Sequence, residues 1–403
     1  MSSSQSDISA LPELSASSAL RLTSPIAQVD LYSYDLSYVH GEYVMSGGRV
    51  VTSLESTVVK VTTSDGVAGY GETCPLGSNY LPAHAAGARA ALAELGPHLV
   101  GLDAANPVAV SRAADRVLLG HGYAKSALDI ACWDVLGRVT GRPVCDLIGG
   151  RHYDRFPLYV AIPLGSPKQM SDYVVRLQEA GVHRFQLKLG GDPVDDASRA
   201  RAVVDVAGPD DVVIGDANCG WSLRQAITAA RLMDGLPGLI LEQPCATYEE
   251  CLRVREHTSL PMILDEVITD LATLLRAWED KAMEGFNLKI SRVGGLTQAR
   301  VMRDVGEQLG ITVNVEDAWG GDLTTAAVSH LAASTDPDSL FMVSFMNDWT
   351  DGHIGGYQPR SEHGFGAAPA APGLGLDIDE ALLGEPVLRF GAAGPAGLAQ
   401  DAP

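Results

Sequence analysis

Short apolar runs that end on a charged residue recur through the middle of the chain. Phe185-Gln-Leu-Lys188, Val212-Val-Ile-Gly-Asp216, Leu239-Ile-Leu-Glu242, Met262-Ile-Leu-Asp265, Phe286-Asn-Leu-Lys289 and Ile311-Thr-Val-Asn-Val-Glu-Asp317 follow one another. Their spacing is about 25 residues, the period of one strand plus one helix. Runs of four or five apolar or β-branched residues read as strands buried on both faces, and the intervening segments, such as Arg224 to Met233, carry helix-length amphipathic patterns. Tyr159-Val-Ala-Ile162 supplies a first strand and Leu340-Phe-Met-Val-Ser-Phe345 an eighth, so the pattern predicts an α/β barrel from about Leu158 to Phe345. Parallel strands of such a barrel all finish on one rim, which should bring their terminal charges together: two lysines flanking three carboxylates.

Upstream the pattern changes from long-period repeats to alternation. Val29 to Tyr34, Ser56 to Thr62 and Gly66 to Glu72 read as three antiparallel strands, with Ser64-Asp-Gly66 as the hairpin turn between the last two and Ser37 to Gly48 as a loop joining the first pair. Helices are predicted over Ala85 to Leu95, Pro107 to Leu119 and Lys125 to Thr140, the last a longer amphipathic one. The expected organisation is an unstructured N-terminal extension over 1–24, an N-terminal capping domain over 25–150, the barrel over 151–370, and a C-terminal return to the capping domain with a frayed tail over 371–403.

Composition narrows the class without changing this picture. The chain has 403 residues, enough for a barrel with an added domain, and is 46% hydrophobic and 20% charged, which is ordinary for a globular protein. No run approaches the length of a membrane span and no basic-then-apolar signal pattern opens the chain, so a cytoplasmic protein is expected. A net charge of −21 argues against nucleic acid or an anionic membrane as partner. Six cysteines are scattered without metal-type spacing and read as free thiols; Cys219 and Cys245 fall just past predicted strand ends.

Three carboxylates, Asp216, Glu242 and Asp265, on separate rigid strands with no Cys or His among them make a hard oxygen site suited to Mg2+. A bound Mg2+ that takes a substrate carboxylate would stabilise the charge formed when a proton leaves the α-carbon. Lys188 and Lys289, at the ends of nonadjacent strands, could address both faces of that carbon, and a lysine beside a cation and another lysine should have its pKa lowered. A single charged strand end would be ordinary lip solvation; five in consecutive units are not.

Lys188, Asp216-Ala-Asn218, Glu242-Gln-Pro244, Asp265-Glu266 and Lys289-Ile-Ser291 resemble the strand-end signature of the enolase superfamily, in its mandelate racemase/muconate lactonizing branch. Ala124 to Gly137, with Pro143 and Leu147-Ile-Gly-Gly150, is similar to the stretch that joins cap to barrel there, which makes Asp129 and Asp134 structural candidates. The resemblance implies a modified (β/α)7β TIM barrel with an α+β capping domain built from the N-terminal region and the C-terminal tail. It also implies Mg2+ on Asp216, Glu242 and Asp265, catalytic Lys188 and Lys289, and a homo-oligomer acting on a small carboxylate. Two departures bear on mechanism: Gln186 stands where relatives usually carry a further lysine, and no histidine base follows the seventh strand, where the chain reads Glu316-Asp317-Ala-Trp319-Gly-Gly-Asp322.

Within the branch these stretches, with Gly71 to Gly77, look most like enzymes acting on proline derivatives. The expected chemistry is α-proton removal and loss of water from a cis-3-hydroxy-L-proline-type substrate giving 1-pyrroline-2-carboxylate, with epimerisation of a proline betaine or 4-hydroxyproline betaine, or another acid-sugar or amino-acid reaction of the branch, as the alternative. Asp317, Trp319 and Asp322 could meet a cationic ring nitrogen, Asn218 lies beside a metal ligand, and Tyr43 and Tyr80 belong to two capping loops, Tyr38 to Arg49 and Cys74 to Pro82, expected to close over the mouth. A barrel retained only as a non-catalytic scaffold would have lost a carboxylate or a lysine, and none is lost.

Overall fold

The computed structural model describes residues 23–391. Eight strands form one parallel curled sheet in sequential order: Val160–Ile162, Arg184–Lys188, Val212–Asp216, Leu239–Glu242, Met262–Leu264, Gly285–Lys289, Thr312–Glu316 and Leu340–Val343. The first and last meet through a parallel bridge between Leu158 and Val343 and a 2.9 Å bond from the Tyr159 N–H to the Val343 carbonyl, which closes the barrel. Seven helices separate the eight strands, from Pro167–Glu179 to Asp322–Ala333, so the architecture is (β/α)7β. Strands read as buried on both faces are so: Phe185, Leu187, Leu241, Phe286 and Leu288 on the helix side are at 0% exposure, and Gln186, Ile214, Ile263 and Asn287 on the inner side at 3% or less.

The second layer is a four-stranded antiparallel sheet in which Ile26–Ser37 lies between Leu388–Gly391 and Ser53–Thr63, with Ala68–Thr73 on the far edge. The C-terminal segment therefore does return to the N-terminal sheet. The tight turn after Thr63 works through Gly66, whose φ of +85° costs glycine nothing. Of the extension expected over 1–24 only the last two residues are described, and Ser24 is tied down by its N–H to Asp103 (2.9 Å); residues 1–22 and the tail 392–403 lie outside the described residues.

The long helix departs from its expected amphipathic character. It spans Gly122–Thr140 and is buried nearly all round, because one side covers the cap sheet and the other packs on the barrel helix Leu296–Gln308. Gly71 permits the first contact: a Cβ there would stand 2.0 Å from the Ala127 carbonyl oxygen. Asp129 and Asp134 are structural, as expected. Asp129 accepts the Thr297 N–H (2.9 Å), and Asp134 accepts the N–H groups of Tyr70 (3.0 Å) and Leu374 (2.8 Å).

Glu72 joins the layers. Fully buried, its carboxylate accepts the hydroxyls of Tyr34 (2.5 Å) and Ser56 (2.7 Å) and the N–H groups of Gly321 (3.0 Å) and Thr324 (2.9 Å), so a cap residue satisfies the N-terminus of the last barrel helix. Among the described residues no helix is long and apolar enough to cross a membrane.

Candidate active site

Strand register sets the site. Lys188 is the partner of Asp216, Asp216 of Glu242, and Lys289 of Glu316, so these residues end their strands at one level. Asp265 follows Leu264 directly. Lys188 closes the second strand and Lys289 the sixth; in an eight-stranded barrel those are four steps apart, on opposite sides of the rim. Just beyond the tips, Asn218, Cys219 and Gln243 hold φ values of 42°, 63° and 33°. A non-glycine residue in this left-handed region costs about 1–3 kcal/mol, a strain that clusters at functional sites.

Each lysine is paired with one of the expected metal ligands. Lys188 Nζ donates to Asp216 Oδ2 (2.6 Å) and Gln186 Oε1 (2.8 Å). Lys289 Nζ donates to Asp265 Oδ2 (2.6 Å) and lies 3.3 Å from Glu316 Oε1. Glu242 accepts Asn287 Nδ2 (2.7 Å) and, through both oxygens, Gln186 Nε2 (3.1 Å). Gln186 thus occupies its unusual position with a role: it bridges Lys188 and Glu242 where a lysine would add charge.

The electrostatics follow from burial and crowding. Burial, then the charges of Asp216, Asp265 and Glu316, push the Glu242 carboxyl well above its ordinary range. Burial works the same way on Asp265, but Arg292 and Lys289 overcome it and hold that carboxyl below its ordinary value. The lysines face these carboxylates directly, whereas the expected lowering concerns a site that also holds a divalent cation. Burial favours their neutral form, yet the carboxylate contacts, chiefly Asp216 for Lys188 and Asp265 for Lys289, win and raise both.

Among the described residues no three His, Cys, Asp or Glu side chains stand gathered into a cation cage. The oxygens of Asp216 and Asp265 face ammonium groups instead. The residues nonetheless fit a hard divalent ion. Three fully buried carboxylates end three successive strands, and beside them Asn218 Oδ1 and Glu266 Oε2 are buried oxygens without a hydrogen-bond partner.

The cavity at this point is small, about 30 Å3, and is covered by both capping loops. Tyr43 and Tyr80 line it from those loops, beside Asn218, Asp317 and Trp319 from the barrel. Tyr43, Trp319 and Trp349 form an aromatic wall, with ring centroids 5.5 Å apart for Tyr43 and Trp319 and 6.0 Å for the two tryptophans. The indole N–H of Trp319 is buried without a partner. The loops hold each other and the barrel: Arg49 Nε donates to the Asn79 carbonyl (3.1 Å), Ser46 Oγ to the Asn218 carbonyl (3.3 Å), and the Tyr80 hydroxyl to Glu266.

Two expected substrate contacts fare differently. Asp317 lines the cavity, but Ser291 donates its N–H (3.1 Å) and hydroxyl (2.6 Å) to one carboxylate oxygen and Ala318 its N–H (2.7 Å) to the other. Asp322 is not brought into the group at all. It sits at the first turn of the last barrel helix and accepts Asn347 Nδ2 (2.8 Å) and the Gly355 N–H (2.9 Å), fastening the segment after the eighth strand. Conversely, Arg292, Glu316 and Tyr159 join the site without having been singled out. Arg292 Nη1 donates to Asp265 Oδ1 (2.8 Å), and the Tyr159 hydroxyl donates to Glu316. Arg292 and Glu316 could have been found, since both lie within or beside the charged strand ends; Tyr159 stands just before the first barrel strand and carries no such signal.

Comparison with known proteins agrees over most of the length. Residues 169–382 match the family profile described as "Enolase C-terminal domain-like", and residues 40–149 match "Mandelate racemase / muconate lactonizing enzyme, N-terminal domain". A cis-3-hydroxy-L-proline dehydratase of Roseibium aggregatum is 42% identical over 365 residues, covering 91% of this chain and 99% of that protein. An N-succinyl-L-Arg/Lys racemase of Bacillus cereus is 26% identical, covering 89% and 97%. A mandelate racemase/muconate lactonizing enzyme of Roseovarius nubinhibens ISM, solved in complex with magnesium, superposes with a TM-score of 0.87 at 34% identity, covering 91% of this chain and 100% of that one.

Proposed function

The chain belongs to the mandelate racemase/muconate lactonizing branch of the enolase superfamily, and from that premise we propose that it is a Mg2+-dependent hydro-lyase acting on cis-3-hydroxy-L-proline. The observation that carries the reading is the pair of lysines on opposite sides of three buried carboxylates, in a chain 42% identical to a relative with that activity. Asp216, Glu242 and Asp265 would hold the ion. When bound it would offset the second negative charge that the substrate carboxylate acquires as the α-proton leaves.

The remaining steps belong to side chains. Lys188, on one side of the rim, takes the α-proton as a base; Lys289, on the other, gives a proton to the departing C3 hydroxide. In the cis isomer the hydroxyl and the α-hydrogen lie on opposite ring faces, which suits two groups placed across the mouth. One C–H and one C–O bond break, water leaves, and the enamine product tautomerises to 1-pyrroline-2-carboxylate. The tyrosine and tryptophan wall excludes water and can face the cationic ring nitrogen.

The same two lysines would epimerise a substrate that has no leaving group at C3, a reading favoured by the likeness to a racemase. A panel of free and N-methylated 3- and 4-hydroxyprolines, incubated with Mg2+ in D2O, separates the two. Water loss from the cis-3 isomer supports the dehydratase. Inversion without water loss selects the epimerase, and absence of both water loss and α-deuterium exchange in every compound defeats both and leaves a scaffold.

A further inference from the structure

Lys289 stands between two carboxylates, and strand order explains why. Its strand, Gly285–Lys289, lies between Met262–Leu264, which leads into Asp265, and Thr312–Glu316, whose last residue is the register partner of Lys289. The ammonium is bonded to Asp265 Oδ2 at 2.6 Å, with Glu316 Oε1 at 3.3 Å on the other side. The second Glu316 oxygen, Oε2, accepts the Tyr159 hydroxyl, which fixes the carboxylate with Oε1 towards the lysine. Lys188 is placed differently. The strand on its far side, Val160–Ile162, ends without a charge, and its second partner is the neutral amide oxygen of Gln186 at 2.8 Å.

Both oxygens of Asp265 are occupied by cationic side chains, Oδ1 by Arg292 at 2.8 Å and Oδ2 by Lys289. A divalent ion on this carboxylate therefore needs one of them to withdraw, because an ammonium held on a ligand oxygen would press two positive charges together. Arg292 is anchored a second time, through Nη1 to the Asp265 carbonyl at 2.7 Å. Lys289 has no second bond to Asp265 but has another carboxylate within a small swing of its chain.

We propose that Glu316, held by Tyr159, is a positioning residue: it takes over the Lys289 ammonium when Asp265 turns to the cation, and so keeps that lysine aimed into the mouth. The inference rests on the reading that Asp216, Glu242 and Asp265 hold Mg2+.

The direct test is a crystal structure of the full chain grown with Mg2+. Lys289 Nζ is expected on Glu316 Oε1 and clear of Asp265. An occupied metal site with Nζ still on Asp265, or with Glu316 itself on the ion, overturns this inference alone. A site that takes up no ion overturns the metal reading, and this inference with it.

The solution test uses cis-3-hydroxy-L-proline with Mg2+ in D2O. Glu316→Gln should carry the signature of Lys289→Ala in weaker form, with water loss slowed about ten-fold, the worth of one bond to a charged group, and α-deuterium exchange retained. Tyr159→Phe should do the same to a smaller extent. A variant that had only lost its packing would lose exchange in step with water loss. In a Lys289→Ala background Glu316→Gln should change nothing further, since it acts through the lysine. Equal losses in both backgrounds overturn the proposal, as does exchange lost in Glu316→Gln but kept in Lys289→Ala. A wild type inert towards this substrate defeats the dehydratase reading and leaves the crystal structure to decide the role of Glu316.

Discussion

Lys188 and Lys289 face the same small cavity from opposite sides, and removing each should leave a different trace. Lys188→Ala is expected to abolish both water loss and α-deuterium exchange, whereas Lys289→Ala should slow water loss while exchange of the α-hydrogen continues; deuterium incorporation read by mass spectrometry beside product formation checks this. Exchange that survives only in Lys188→Ala would reverse the roles. The carboxylates give a second expectation. Asp216→Asn, Glu242→Gln and Asp265→Asn keep side-chain shape at rim positions, so each should retain the fold by circular dichroism yet lose Mg2+ affinity by calorimetry and turnover with it. Full activity in excess EDTA would defeat the metal assignment. These residues were legible because a charge that closes an apolar run is visible in one sequence. Asp322 was taken as an acidic partner for a cationic ring nitrogen, but its oxygens are taken by Asn347 and Gly355, partners that only the fold supplies.

At the scale of elements, strand and helix periods carried most of the fold, since the runs ending on Asp216 and Glu242 coincide with their strands to the residue. What the period could not convey is three-dimensional company. The helix Gly122–Thr140 looks two-faced in sequence and is buried on both sides because two layers meet on it. The last barrel helix, Asp322–Ala333, shows a related effect at His330, which is fully buried between the Cys145 N–H, donated to Nδ1 (3.2 Å), and the Leu374 carbonyl at Nε2 (3.1 Å). Burial lowers its pKa to about 4 against an ordinary 6.5. Because the folded imidazole resists protonation, its contribution is complete above about pH 6.5 and is lost as pH falls towards 4, by roughly 3 kcal/mol in all. Urea unfolding at neutral pH and near pH 5 should show this slope in the wild type and a shallower one in His330→Gln.

The whole molecule depends on how firmly its cap sits on the barrel. Glu72→Gln keeps the shape but places an amide against the backbone donors of the last helix, so it should cost about 1–3 kcal/mol in chemical denaturation and raise KM more than it lowers kcat. An unchanged KM would mean that the capping loops are positioned independently of this tie. The 30 Å3 left beneath those loops has a kinetic consequence. A proline-sized substrate of the proposed reaction would need more room than this, so its entry would require the Arg49–Asn79 and Ser46–Asn218 contacts to break. The observed affinity is then the intrinsic one diluted by the fraction of molecules that are open. Opening is a diffusive motion of the chain through solvent, typically on the microsecond to millisecond scale. For a fast substrate, kcat/KM should therefore fall in proportion to added viscogen, while a poor substrate, limited by the proton step, should be indifferent to it.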